Sequence, residues 1–235
     1  MKSFLKTVAR RFGYDILHLP TDPIARQWLD LMHTNQIDLV FDVGANTGQF
    51  GQHIRKLGYA RDIISFEPIA ETYRQLQATA AADSQWKTVH SALGDYDGTA
   101  VINVSTNSYS SSVLNMLPAH SESAPDTTYV RQESIRMQKI DSILDQYYTP
   151  GQKLYVKIDT QGFERQVFDG GMWSLPHIKG FQMELSLQPM YEGETLLYEM
   201  ILLLQSEGYK LKLMDSGHRN HKTGELLQVE VYFFR

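Results

Sequence analysis

Apolar positions fall along the chain in two rhythms. From Ile37 onward, short apolar runs recur: Ile37 to Phe41, Asp62 to Phe66, Lys87 to Leu93, Leu154 to Ile158 and Gly180 to Leu185. Each stops at a polar or glycine-containing turn. Longer stretches with helical spacing lie between them, from about Gly48 to Leu57, from Glu67 and Pro68 to about Ala81, from about Phe163, and from about Glu194 to Glu207. The short runs predict strands and the longer stretches predict helices, with Gly58 and Gly208 as helix stops. Alternation through short connections predicts a parallel α/β sheet. At the end of the chain, Tyr209 to Leu213 and Leu226 to Phe234 flank a polar turn holding Asp215, Gly217, Asn220 and Gly224, which predicts an antiparallel pair. The expectation is one doubly wound domain over residues 36–235, preceded by a helical extension over residues 1–35.

Two regions interrupt the rhythm. In the extension, Phe4, Leu5, Val8 and Phe12 can share one helical face, with Lys2, Lys6, Arg10 and Arg11 around the other. Pro20 and Pro23 break that pattern, and a second helix is expected from about Ile24 to His33. Between the third and fourth strands, Asn103 to Pro125 is rich in serine and reads as irregular. After it, Ile135 to Lys139 alternates like an edge strand, and Asp141 with Ser142 could cap a helix ending at Tyr147.

Composition narrows the function. The chain has 235 residues, 42% hydrophobic and 21% charged, with no cysteine. Disulfide scaffolds, thiolate metal sites and cysteine nucleophiles are therefore excluded. A formal net charge of −5 argues against a nucleic-acid partner, which would call for a surplus of basic groups. No apolar run approaches the length of about 18 residues that a transmembrane helix needs, so a cytoplasmic protein is expected.

The chemistry gathers at strand ends. Asp42-Val-Gly44-Ala-Asn46-Thr-Gly48 closes the first strand, where Gly44 permits a sharp turn and Gly48 a close backbone approach. Glu67 closes the second, where a carboxylate can accept both hydroxyls of a ribose. The glycine spacing does not fit G-x-G-x-x-G, and no lysine follows as in a phosphate-binding loop. Asp42 against the turn would repel a pyrophosphate and suit a cation. S-adenosylmethionine, a nucleoside with a sulfonium and no phosphate, meets these demands and is the expected cofactor.

Several segments together resemble the FkbM family of methyltransferases. They are Phe41-Asp-Val-Gly-Ala-Asn-Thr-Gly-Gln-Phe50, Ser65-Phe-Glu-Pro68, Tyr155-Val-Lys-Ile-Asp-Thr-Gln-Gly-Phe-Glu164, Met183-Glu-Leu-Ser186 and Gly224 to Arg235. The resemblance implies a class I, Rossmann-like fold: a doubly wound, seven-stranded, mostly parallel sheet with an antiparallel C-terminal strand. It implies S-adenosylmethionine as donor, and usually O-methylation of hydroxyls on sugars or natural products. Carried over, Asp42, Gly44, Asn46, Gly48 and Glu67 would hold the cofactor, with Ala92 and Leu93 near adenine.

Catalysis is expected in the second half. An alcohol must lose its proton as it attacks the methyl carbon, and Asp159 is the expected base or acceptor orienter, with Glu164 and Glu184 as neighbours. Asp159 could equally cap the following helix. Lys157 alternates with Val156 and Ile158 and could point elsewhere, and His90 is expected to pack. Asp159, Glu164 and Glu184 match no metal motif, so no metal is predicted, and His218 and His221 are given no role. The serine-rich segment, with Asn107 and Tyr109, is the candidate lid over a small-molecule or glycan acceptor, because uncharged hydroxyls and amides pair well with a polyol. A nucleic-acid methyltransferase and a non-catalytic cofactor-binding relative are the competing functions.

Overall fold

A computed structural model describes residues 22–235, so the amphipathic helix expected from Phe4 to Phe12 lies outside the described residues. Helix α1, Pro23–Thr34, starts where Asp22 accepts a hydrogen bond from the Ile24 amide at 2.9 Å, and Pro23 supplies the fixed φ of a first helical turn. It buries Ala25, Trp28 and Met32.

Seven strands form the main sheet: β1 Leu39–Val43, β2 Asp62–Phe66, β3 Trp86–Val89, β7 Leu154–Ile158, β8 Ile178–Ser186, β9 Lys210–Ser216 and β10 Gln228–Phe234. Their order across it is β3-β2-β1-β7-β8-β10-β9. All neighbours pair in parallel except β10, which runs antiparallel to both β8 and β9. This is the doubly wound α/β sheet that the alternating runs predict, including the final antiparallel pair. Among the described residues, no helix is long and apolar enough to cross a membrane.

Alternation along each strand builds two cores. On one face, Val40, Ile63, Tyr155 and Phe234 pack against α1, α2 (Gln49–Leu57) and α3 (Ala70–Ala80) through Trp28, Ile54 and Leu76. On the other, Phe41, Val156 and Phe181 pack against α5 (Ile140–Tyr147), α6 (Glu164–Asp169) and α7 (Leu197–Ser206). Each fully buried aromatic or branched side chain contributes roughly 1.5–3 kcal/mol. The sheet is therefore held rigidly from both sides, and its C-terminal edge is a stable platform for chemistry.

Three expectations need correction. The run Lys87 to Leu93 is not one strand: β3 ends at Val89, and β4, Ala92–Leu93, belongs to a second sheet. That sheet also holds β5 Gly98–Ser105 and β6 Tyr129–Gln138, in the order β4-β6-β5. The alternating stretch Ile135 to Lys139 is only the end of β6, and Asn103 to Ser105 belong to β5. The remainder of the serine-rich segment contains a 3-10 turn, Ser108–Ser110, and helix α4, Pro118–Ser123. Finally, Asp141 does not cap α5. Its carboxylate accepts from the Trp173 and Ser174 amides at 3.2 and 2.8 Å, fastening the 3-10 segment Met172–His177.

Candidate functional site

The β1 turn and the β7 turn touch. Gly44 has φ +74°, and both its amide and that of Ala45 donate to the Phe66 carbonyl at 3.1 and 3.0 Å. A Cβ on Gly44 would lie 1.9 Å from the Asp159 carbonyl oxygen, so only hydrogen fits there. Asn46 is also left-handed, at φ +49°. In that conformation its amide donates to Glu67 Oε2 at 3.0 Å, while the Ile69 amide donates to Glu67 Oε1 at 2.9 Å. The glycine turn and the end of β2 are thus tied together by one carboxylate. Burial pushes the Glu67 carboxyl up to about 7 against the pull of these two amides.

A cavity opens over these strand ends. Of the residues predicted to act, Gly44, Asn46, Glu67, Ala92, Leu93 and Asp159 line it. Leu93, Ile102, Met137 and Phe163 supply an apolar wall, and among the described residues no Lys or Arg lines the cavity. An apolar wall beside a carboxylate, with no lysine or arginine among the described lining residues to meet a phosphate, fits a phosphate-free nucleoside.

Asp42, Gly48, Glu164 and Glu184 do not line the cavity. Gly48, at φ +94°, is the N-cap of α2 and packs on Leu76, Thr79 and Trp86. Asp42 is fully buried at 0% exposure: it accepts from Ser65 Oγ at 2.8 Å and faces Lys157 Nζ at 3.5 Å. Strand alternation turns it to the face opposite Phe41, so it is a buried member of an ion cluster and not the pocket's flank. Burial raises its carboxyl, opposed by Lys157. Glu164 folds the loop after β7, accepting from the Thr160 and Gly162 amides at 2.8 and 3.0 Å. Burial pushes it up to about 7. Glu184 accepts from Gln161 Nε2 at 2.9 Å, and burial followed by the Asp159 charge holds its carboxyl well above the usual range.

Lys157, which could have pointed elsewhere, lies behind the cavity wall against two of the acids. Its ammonium lies 3.3 Å from Asp159 Oδ2 and 3.5 Å from Asp42 Oδ1, near the Gly44 carbonyl at 3.4 Å. Burial works against its charge, yet the Asp159 and Asp42 carboxylates outweigh it and raise the ammonium above its ordinary value. The parallel register that sets Asp42 opposite Lys157 is the signal that could have found this pair. Gln161 was missed as well; its Nε2 donates to Asp159 Oδ1 at 2.8 Å. His90 stacks on Tyr73 with centroids 4.6 Å apart, and His218 bonds Ser123 Oγ at 3.0 Å; neither lines the cavity.

The 3-10 turn forms the outer wall. Asn46 Nδ2 donates to Ser108 Oγ and Gln49 Nε2 to the Tyr109 hydroxyl, both at 3.0 Å. Ser108, Tyr109 and Ser111 face the cavity, with Tyr109 64% exposed.

A family model described as the methyltransferase FkbM domain matches residues 42–211. No curated protein matches at a significant level. Among solved structures, the N-terminal domain of human METTL16 in complex with SAH is similar at 9% identity, covering 99% of this chain and 80% of that one, with a TM-score of 0.49. Fibrillarin from Aeropyrum pernix, in complex with natively bound S-adenosyl-L-methionine, is similar at 10% identity, covering 89% and 75%, with a TM-score of 0.47. TrmK from M. capricolum, in complex with S-adenosyl-homocysteine, is similar at 8% identity, covering 87% and 67%, with a TM-score of 0.49. At such identities the likeness is one of fold.

Proposed function

The chain belongs to the FkbM family of methyltransferases and uses S-adenosylmethionine as donor; from that premise we propose that it methylates a hydroxyl on a sugar, glycan or polyketide-like acceptor. The observation that carries this reading is the composition of the cavity wall. Glu67 and Asp159 are its carboxylates, and the rest of its polar surface is uncharged hydroxyl and amide from Asn46, Ser108, Tyr109, Ser111, Thr160 and Gln161. Such groups pair with a polyol, one hydroxyl at a time, and have no cation to offer a phosphodiester backbone. A nucleic-acid acceptor is therefore the less supported reading, consistent with a chain charge of −5.

Bound S-adenosylmethionine supplies an electrophilic methyl group. In this reading Glu67, fixed by the Asn46 and Ile69 amides, accepts the ribose hydroxyls, while Gly44 keeps the β1 turn low enough for the ligand to lie across it. Ala92 and Leu93 lie beside the adenine, together with the apolar wall. Asp159 at the end of β7 would take or orient the acceptor's hydroxyl proton, the O–H bond breaking as the oxygen gains the methyl and the donor's carbon–sulfur bond gives way to leave a neutral thioether. Lys157 acts behind it as its counter-ion, Asp42 by holding Lys157 in place, and Glu164 by shaping its loop. Glu184 sits beside it through Gln161. Gly48 serves by seating α2 against α3.

Calorimetry tests the donor reading. S-adenosylmethionine should bind and NAD should not, and Glu67→Ala should weaken the former. Label from a methyl-labelled donor should then enter a glycan or polyketide panel and not RNA or DNA. NAD binding, or label in nucleic acid alone, refutes the reading. Asp159→Asn should lower turnover about 100-fold or more if Asp159 is the base.

A further inference from the structure

Gln161 is held from every side. Its backbone is left-handed at φ +56°, and its carbonyl accepts from Ser112 Oγ at 2.6 Å. The next residue, Gly162, leaves so little room that a Cβ there would lie 2.9 Å from Tyr191 Cβ. The side-chain carbonyl accepts from the Tyr191 hydroxyl at 2.7 Å, which turns the amide N–H groups toward the acids. Those N–H groups donate to Asp159 Oδ1 at 2.8 Å and Glu184 Oε2 at 2.9 Å.

Asp159 is consequently fixed at both oxygens, Oδ1 by Gln161 and Oδ2 by Lys157. Because Lys157 also faces Asp42, one cation behind the cavity wall is shared between two carboxylates. Glu67, the other carboxylate there, sits near 7 through burial and carries only part of a charge at neutral pH. Asp159 is the cavity carboxylate at the end of β7, and Gln161 sets the direction its side chain faces.

We propose that Gln161 is a specificity-determining positioning residue: by fixing Asp159 at the cavity wall, it makes the site prefer the cationic donor S-adenosylmethionine over its neutral thioether product, S-adenosylhomocysteine. The inference rests on the donor reading above. It gives the enzyme a route to product release: once the carbon–sulfur bond has broken, the methyl has gone to the acceptor oxygen and that oxygen's proton has passed by way of Asp159 to solvent, the ligand no longer carries the charge that Asp159 attracts.

The test is the ratio of the two affinities, measured by calorimetry at pH 8.5 on the whole chain, with no acceptor required. Gln161→Leu frees Asp159 to turn fully toward Lys157, and the preference for S-adenosylmethionine falls about threefold to tenfold. Gln161→Glu adds a carboxylate beside Asp159. The preference then rises by a similar factor at pH 8.5. Opposite signs are the signature, because general damage to the loop weakens both ligands and leaves the ratio unchanged. Should the leucine variant fail to fold, Tyr191→Phe, which frees the amide without touching the wall, lowers the ratio in its place. Unchanged ratios in the folded variants overturn the inference, as does a wild type that binds both ligands equally. A wild type that binds neither overturns the donor reading itself.

Discussion

Replacing Gly44 with alanine separates two contributions that usually come together. The first is backbone strain: at φ +74° an L-residue costs about 1–2 kcal/mol. The second is contact. The added methyl would sit 1.9 Å from the Asp159 carbonyl oxygen, which is backbone anchored by the Asp159 amide to the Val43 carbonyl at 3.1 Å, so it cannot step aside without parting β1 from β7. Forced overpacking of that kind adds about 1–3 kcal/mol. The sum is about 2–5 kcal/mol, against a total stability of about 5–15 kcal/mol for a typical domain. Gly193 provides the control, with φ +76° and nothing within 4 Å of the place an added methyl would occupy. Gly193→Ala should lower the melting temperature by roughly 2–8 °C and Gly44→Ala by about 4–20 °C, as read by circular dichroism. In calorimetry, Gly44→Ala should lose S-adenosylmethionine binding while Gly193→Ala retains it. Equal melting temperatures for the two variants would refute the contact between the two turns.

Three further outcomes follow from the same geometry. Lys157→Met leaves Asp42 buried and unpaired, and chemical denaturation should show a loss of about 3–5 kcal/mol, partly restored when Asp42→Asn is added. Burial raises Glu67, Glu164 and Glu230 to about 7. The folded state then holds protons that the unfolded state releases, so stability is fully present below about pH 4 and is lost as pH rises to 7, by about 1.4 kcal/mol per pH unit per group. His120, lowered to about 4 by burial, and His218, also lowered by burial, act in the opposite direction, but Asp42, Glu184 and Glu194 are raised as well, so melting temperatures should be higher at pH 5.5 than at pH 8. Ser108→Ala with Gln49→Ala unfastens the 3-10 turn from the glycine loop, and stopped-flow fluorescence should show faster release of S-adenosylmethionine.

The parallel core was legible because strands buried on both faces must be continuously apolar, as Leu39–Val43 and Leu154–Ile158 nearly are. The second sheet was not. In β5 and β6 many residues face solvent, and β5 opens with Gly98 and Thr99 beside polar turn residues, so the run resembles a loop until its pairing partner is known. The break after Val89 was hidden for another reason. Ser91 is fully buried and bonds the Arg136 carbonyl at 3.2 Å, a contact with a residue far along the chain. At the site, the glycine turn and Glu67 were readable because their backbone needs are local. Asp42 was misread because its charge is answered by Lys157 on a neighbouring strand, which residue spacing alone does not reveal. Gln161 gave no local signal: its importance lies in three partners brought in from β7, β8 and the Tyr191 loop.

The antiparallel strand β10 lies between β8 and β9 although it follows both in the chain. During synthesis, then, β8 and β9 leave the ribosome with a strand-wide gap between them, and the apolar surfaces that Val231 and Phe233 will cover stay open. The sheet closes only when the last of the described elements threads into that gap. A chain that has not yet gained β10 presents two raw strand edges at once, which makes the interval before β10 is added the period of greatest exposure to misassociation.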